Sequence, residues 1–258
     1  LSETGAISTD VTEDRFLNGR IVLRQPRKGY RAGIDAVFLA AAIPCRPGES
    51  AFEAGMGAGA ASLCLAARVP GARVTGIERN EVYAALARQN IAGNGMGDRV
   101  RLLDGDVRDL TRNPQGTFPP VASFDHVFAN PPYHKREDIT ASPSDPKAEA
   151  HSMAGAELET WVKMLAAMAR PRGTITLVQR PEALPRLLQA LEGRAGDIRI
   201  APLFPRPHEA ASLIILQAVK GSRAAMRLLP GMVLHGPAHG FTDAAEAVLR
   251  HGAAFPLR

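Results

Sequence analysis

Short apolar runs alternate with longer segments of helical period along most of this chain, and that alternation predicts a parallel sheet covered on both faces. Near the N-terminus, Phe16-Leu17 and Ile21-Val22-Leu23 flank Asn18-Gly19, a hairpin turn signal. Small and apolar residues at 35–43 form a short helix that Asp35 can cap. Strands are then expected at 50–52, 73–77, 99–103, 124–129 and 174–179, with helices at 60–68, 80–92, 156–168 and 182–191. Two further strands, 197–203 and 211–219, are joined by a loop too short for a crossover, so they should pair antiparallel at the sheet edge. In helix 156–168 the residues Leu158, Trp161, Leu165 and Met168 share one face, which reads Trp161 as packing rather than as a stacking platform. The segment 231–250 offers an extended piece and a helix whose start is marked by Thr242-Asp243.

Chemistry concentrates where these strands end. The first is followed by Glu53-Ala54-Gly55-Met56-Gly57-Ala58-Gly59 and then a helix, the arrangement of a nucleotide-type cofactor turn. Its glycines admit a ligand close to the backbone, and the helix N-terminus favours an anionic group. Glu78 ends the second strand at the offset of an acid that takes both ribose hydroxyls, with Arg79 beside it. The third strand ends in Asp104-Gly105-Asp106-Val107, where Asp106 is placed to accept from an adenine amine or simply to cap the turn. The fourth ends in Asn130-Pro131-Pro132-Tyr133: an amide oxygen, a carbonyl held by two prolines of fixed φ, and a flat ring for stacking on a planar substrate. Residues 134–150 are polar and aperiodic, either a substrate-ordered lid or a mobile connection.

Composition narrows the class. The 258 residues are 45% hydrophobic and 22% charged, with two cysteines and a net charge of +5. Together with a mean hydropathy of -0.08, this describes a soluble globular chain. No apolar run approaches the roughly 20 residues that cross a bilayer. Residues 1–14 are polar and acidic without a signal-peptide profile, which points to the cytosol. Cys45 and Cys64 lack metal-ligand spacing and read as reduced packing residues, and no metal is expected. The domain expectation is a flexible segment at 1–14 and one domain at 15–258, with a basic hairpin at 15–33 and a strand-helix tail at 222–258. The hairpin segment holds no acid between Arg15 and Gly33, and Arg24, Arg27, Lys28 and Arg31 form a basic arm with Tyr30 available to stack. With Lys135, these are the candidate contacts to an RNA backbone. Nothing marks an obligate protein partner.

These pieces, in this order, resemble the class I S-adenosylmethionine-dependent methyltransferases, and Asn-Pro-Pro-Tyr marks the branch that methylates planar nitrogen. Residues 25–36 and the pieces Leu234-His235-Gly236-Pro237 and Phe241-Thr242-Asp243 are similar to the bacterial family that methylates N6 of an adenine in the anticodon loop of valine tRNA. The resemblance covers about 16–249. It implies a Rossmann-like α/β fold, a mostly parallel seven-stranded sheet with an antiparallel last strand. By the same resemblance, Glu53, Ala54, Gly55, Gly57 and Gly59 hold the methionine part of S-adenosylmethionine, Glu78 the ribose, and Asp106 and Val107 the adenine. Asn130, Pro131, Pro132 and Tyr133 receive the target base, and Asp35 lies near the cofactor. Met56 and Ala58 depart from the serine or threonine frequent at such positions, and His134-Lys135-Arg136 is more basic than in some relatives. Two alternatives stand beside this one. One is methylation of a protein glutamine or a small molecule, O-methylation included. The other is a nicotinamide-dependent oxidoreductase, because Gly55-x-Gly57-x-x-Ala60 also fits a dinucleotide fingerprint.

Overall fold

A computed structural model of the chain describes residues 10–112, 116–132, 146–236 and 240–258. Strands β1 (Val11–Phe16) and β2 (Ile21–Pro26) form an antiparallel hairpin that begins inside the segment expected to precede the domain. Next come α1 (Ile34–Ala42), β3 (Ser50–Ala54), α2 (Ala60–Arg68), β4 (Arg73–Glu78), α3 (Glu81–Gly93), β5 (Val100–Asp104) and β6 (Phe124–Ala129). The chain continues with α4 (Pro146–Met168), β7 (Ala169–Gln179), α5 (Leu184–Leu191), β8 (Ala195–Phe204), β9 (Leu213–Lys220), the two-residue strands β10 (Arg227–Leu228) and β11 (Met232–Val233), and α6 (Asp243–Leu249). Thr242 caps α6 by accepting from Ala245 N–H at 3.2 Å, as the Thr-Asp signal predicts.

The sheet runs β10-β8-β9-β7-β6-β3-β4-β5, with β11 also paired to β8. Strands β3 to β7 are mutually parallel, whereas β9 pairs antiparallel with both β7 and β8. The expected antiparallel pairing of the last two long strands is therefore present. The last long strand inserts between β7 and β8, so the pair lies on the side of the sheet away from β5, and β10 and β11 cover the outer edge of β8. Burial explains the insertion, since Ile214, Ile215, Leu216 and Ala218 on β9 are nearly inaccessible on both faces, a pattern edge strands rarely tolerate. One correction concerns α4, which starts at Pro146, ten residues ahead of the expected 156.

Each face of the sheet carries its own core. The hairpin residues Leu17, Ile21 and Leu23 join α1, α2, α3 and α6 on one side, while Val162, Leu165 and Met168 of α4 join Leu187 and Leu191 of α5 on the other. Phe52, wholly buried, lies 5.1 Å from Phe124 in the second core. Truncating such a phenylalanine to alanine costs about 3–5 kcal/mol. The outer edge of β2 is not left bare. Asn94 exchanges bonds with Val22 N–H and C=O at 2.9 and 2.8 Å, and Asn90 does the same with Arg24 at 2.8 and 3.0 Å. Two amides one helical turn apart thus imitate a neighbouring strand and hold the hairpin against α3, beside the ends of β3 and β4.

Candidate active site

All the parallel strands end on one side of the sheet, and a cavity of about 820 Å³ opens there, within the range of small-molecule sites. Its walls include Tyr30, Gly55, Gly57, Glu78, Arg79, Asp106, Val107, Asn130 and Pro132, so nine residues expected from sequence converge on one space. A second cavity of about 20 Å³ lies behind Gly55 and Asn130 and reaches Glu53. Ala54 is buried in β3, and Gly59, in the left-handed region at φ 95°, starts α2. Pro131 is buried, its carbonyl accepting from Gln179 Nε2 at 3.3 Å. Tyr133 and Lys135 lie outside the described residues, as does most of the expected lid at 134–150.

Gly55 shows why the loop needs glycine. It sits at φ 66°, and a Cβ there would overlap the ring of Trp161. Met56 is not on the wall of the larger cavity and packs over Gly76 of β4, which explains an apolar residue where a polar one is frequent. Glu78 spans the loop and the next helix, accepting from Gly57 N–H and Asn80 N–H, each at 2.8 Å. Each carboxylate oxygen has a second lone pair for a ribose hydroxyl. Asn90 ties the hairpin to the loop by donating to Ala58 C=O at 2.8 Å.

Asp106 is more encumbered than its sequence position suggests. It accepts four bonds from Arg79 and Arg108, at 3.1, 2.9, 2.9 and 2.6 Å. The Arg108 guanidinium, with the Arg79 guanidinium behind it, holds the Asp106 carboxyl far below the usual carboxylate range. Accepting from an adenine amine requires one arginine to let go, which costs little because both arginine side chains are more than half exposed.

Glu53 is buried and accepts from Ser62 Oγ at 2.5 Å and Ser62 N–H at 3.2 Å. Burial outweighs these bonds and pushes its carboxyl up to about 8. Asn130 has the most telling environment. Its Nδ2 donates to Asp35 Oδ2 at 2.7 Å and to Tyr30 Oη at 2.9 Å, whereas its Oδ1 is buried with no partner among the described residues. The Tyr30 ring is 45% exposed, yet its hydroxyl end reaches inward. Burial there, together with the negative field of Asp35 and Glu53, keeps the phenol protonated well above its ordinary value.

The basic arm is partly neutralised. Arg24 pairs with Glu13 at 3.2 Å, Arg27 with Asp10 at 2.5 Å and Arg31 with Asp14 at 2.6 Å, all acids of β1 or its approach. Lys28 has no ion pair among the described residues. None of these four lines the cavity. Sequence reasoning missed Tyr83, Asn80, Arg108, Glu157 and Thr160 as wall residues, and it assigned Trp161 to packing alone. Helical period identifies an inward face, but a cavity wall and a core wall share that period. Away from the cavity, Cys45, Glu49 and His126 also come together. There His126 bonds Glu49 at 2.9 Å and Thr174 at 2.8 Å, which satisfies both ring nitrogens within the protein.

Comparison with known proteins bears on this site. Residues 51–142 match the family model described as a methyltransferase domain. The chain is 28% identical over 207 residues to a tRNA1(Val) (adenine(37)-N6)-methyltransferase from Porphyromonas gingivalis, covering 78% of this chain and 79% of that one. It is 26% identical over 159 residues to a protein of the same name from a Flavobacteriaceae bacterium. That match covers 62% of this chain and 63% of the relative, short of two thirds of its length. Among solved structures, a predicted O-methyltransferase from Agrobacterium tumefaciens has a TM-score of 0.73 at 27% identity, covering 86% of this chain and 98% of that one. A SAM-dependent O-methyltransferase from Thermotoga maritima, at 20% identity and TM-score 0.54 over 77% of this chain and 69% of that one, shares the fold.

Proposed function

We propose that the chain is a class I S-adenosylmethionine-dependent methyltransferase that methylates N6 of an adenine in tRNA, in the cytoplasm. One observation carries the choice of acceptor: the Asn130 amide has both hydrogens engaged and its oxygen buried without a partner among the described residues, at the mouth of β6. A buried acceptor left empty costs about 1–3 kcal/mol, so the site is built for a donor that arrives with the substrate. An amine with two hydrogens fits the Asn130 oxygen and the nearby Pro131 carbonyl, whereas a hydroxyl brings only one. The tRNA assignment draws support from the names of the relatives.

The residues present fit the cofactor. The loop from Glu53 to Gly59 would cradle the methionine part, Glu78 would take the ribose, and Val107 and Trp161 would wall the adenine side. When bound, S-adenosylmethionine supplies an electrophilic methyl whose transfer to nitrogen leaves a thioether and releases one proton. Asn130 Oδ1 and Pro131 C=O hold the amine hydrogens, turn the nitrogen lone pair out of ring conjugation and stabilise the positive charge that develops. Gln179 steadies the Pro131 carbonyl. Tyr133 supplies a stacking face, worth about 1–3 kcal/mol for an extruded base. Of the basic arm, Lys28 has no ion pair among the described residues and can meet an RNA phosphate, and the paired arginines contribute once RNA displaces their acids.

Two measurements test this reading. Purified protein with methyl-labelled cofactor should label tRNA, and nucleoside digestion should recover N6-methyladenosine; label in protein or small molecules instead overturns the substrate. The second concerns Glu53. Its raised pKa means the empty folded protein holds a proton that the unfolded chain loses above the ordinary glutamate value of 4.5. Stability without cofactor therefore declines as pH rises from 4.5 towards about 8. A cationic cofactor beside Glu53 favours its ionised form, so binding at pH 7 should release up to about one proton. Binding enthalpy measured in buffers of different ionisation heat should then differ, and an identical enthalpy in all buffers removes Glu53 from the cofactor site.

A further inference from the structure

An amide is nearly symmetric in shape, so something must decide whether its oxygen or its nitrogen faces a ligand. Around Asn130 that decision comes from two side chains that accept from its nitrogen. Asp35, in the first turn of α1, offers Oδ2 to Asn130 Nδ2 at 2.7 Å, while its Oδ1 accepts from Gly33 N–H at 2.8 Å. Tyr30 Oη accepts the other Asn130 hydrogen at 2.9 Å. Turning the amide over would set its oxygen against a carboxylate oxygen, two acceptors with no proton between them.

We infer that Asp35, with Tyr30 in support, is a positioning residue that forces the Asn130 oxygen towards the acceptor nitrogen. The inference rests on the amine-methylating reading above and adds to it the device that selects an N–H donor as substrate. Asp35 carries the larger share because its bond is shorter and charge-assisted. Tyr30 offers one neutral acceptor, so its loss leaves the Asp35 bond in place. Neither residue needs to touch the reacting atoms.

The chemistry prescribes its own test, because the two partners can be exchanged. In Asp35→Asn a single carbonyl cannot serve both Gly33 N–H and Asn130, so the amide loses its guide. In Asn130→Asp two carboxylates face each other. In the double variant Asp35→Asn with Asn130→Asp, the new amide keeps Gly33 with its oxygen and donates to the new carboxylate, whose second oxygen again faces the substrate. Each single variant should lower single-turnover methyl transfer by about 10–100-fold, as a misaligned reacting pair does, with cofactor affinity unchanged. The exchanged pair should recover at least about tenfold over either single variant. In the Asn130→Ala background, Asp35→Asn should have little further effect. No recovery in the exchanged pair, or full turnover in Asp35→Asn, overturns the inference.

A second readout is independent of activity. With asparagine 15N-labelled, the Asn130 side-chain NH2 should exchange slowly with solvent in the wild type and faster in Asp35→Asn, the signal being assigned by its loss in Asn130→Ala. Equal exchange rates overturn the positioning role even if no RNA is methylated. A wild-type protein that methylates no RNA, with the exchange difference intact, instead sinks the substrate reading alone.

Discussion

Asn130→Ala should reduce methyl transfer to tRNA by on the order of 10²-fold, the scale seen when one preorganised group is removed from a site of developing charge. Cofactor affinity, read by calorimetry, should change by less than about threefold, because the variant removes an interaction that strengthens only as the amine becomes cationic. The variant also takes a partner from Asp35 and from Tyr30. Some loss of stability, about 1–3 kcal/mol, is therefore expected alongside, and a melting curve separates it from the kinetic effect. Turnover within about twofold of wild type would remove Asn130 from the mechanism, together with the argument that its empty acceptor awaits a substrate amine.

Gly55→Val should abolish detectable cofactor binding, a loss of more than about 100-fold. Gly55 lies at φ 66°, where a β-branched residue is strained, and its Cβ would overlap the Trp161 ring across the cavity. Either Trp161 swings into the space the ligand needs or the loop shifts and breaks the Gly57 bond to Glu78. Gly95→Ala makes a suitable control. Gly95 has a similar φ of 64° but open space around its Cβ position and no place on the cavity wall. It should cost about 1 kcal/mol of stability and leave binding intact. Normal calorimetric binding by a folded Gly55→Val protein would show that the loop does not hold the cofactor.

Much of the architecture is legible in the chain because the forces that set it are local. A run such as 124–129 can bury only as a central strand, and the glycines of 55–59 mark where backbone turns beside the cavity that Gly55 and Gly57 line. Acids at strand ends were legible for the same reason, and Glu78 and Asp106 both reach the cavity. The basic arm was less so. Its arginines stand in an acid-free stretch, yet β1 lies antiparallel to it and brings Asp10, Glu13 and Asp14 across the hairpin. Net charge along a sequence does not count such cross-strand pairs. Trp161 illustrates the opposite limit: its helical position was correct, but whether its ring met side chains or a void depended on a glycine of β3's following loop.

From its own residues the chain determined the sheet, the order of its loops and the types of group gathered at the strand ends, since periodicity, glycine and proline act within a few residues of themselves. Tertiary structure alone decided which end of the Asn130 amide is spent and which is offered. Asp35 and Tyr30 stand 95 and 100 residues away from it, and only folding brings their acceptors to its nitrogen. Hydrogen bonds act over about 3 Å, so their direction follows from contacts in space that no local pattern encodes.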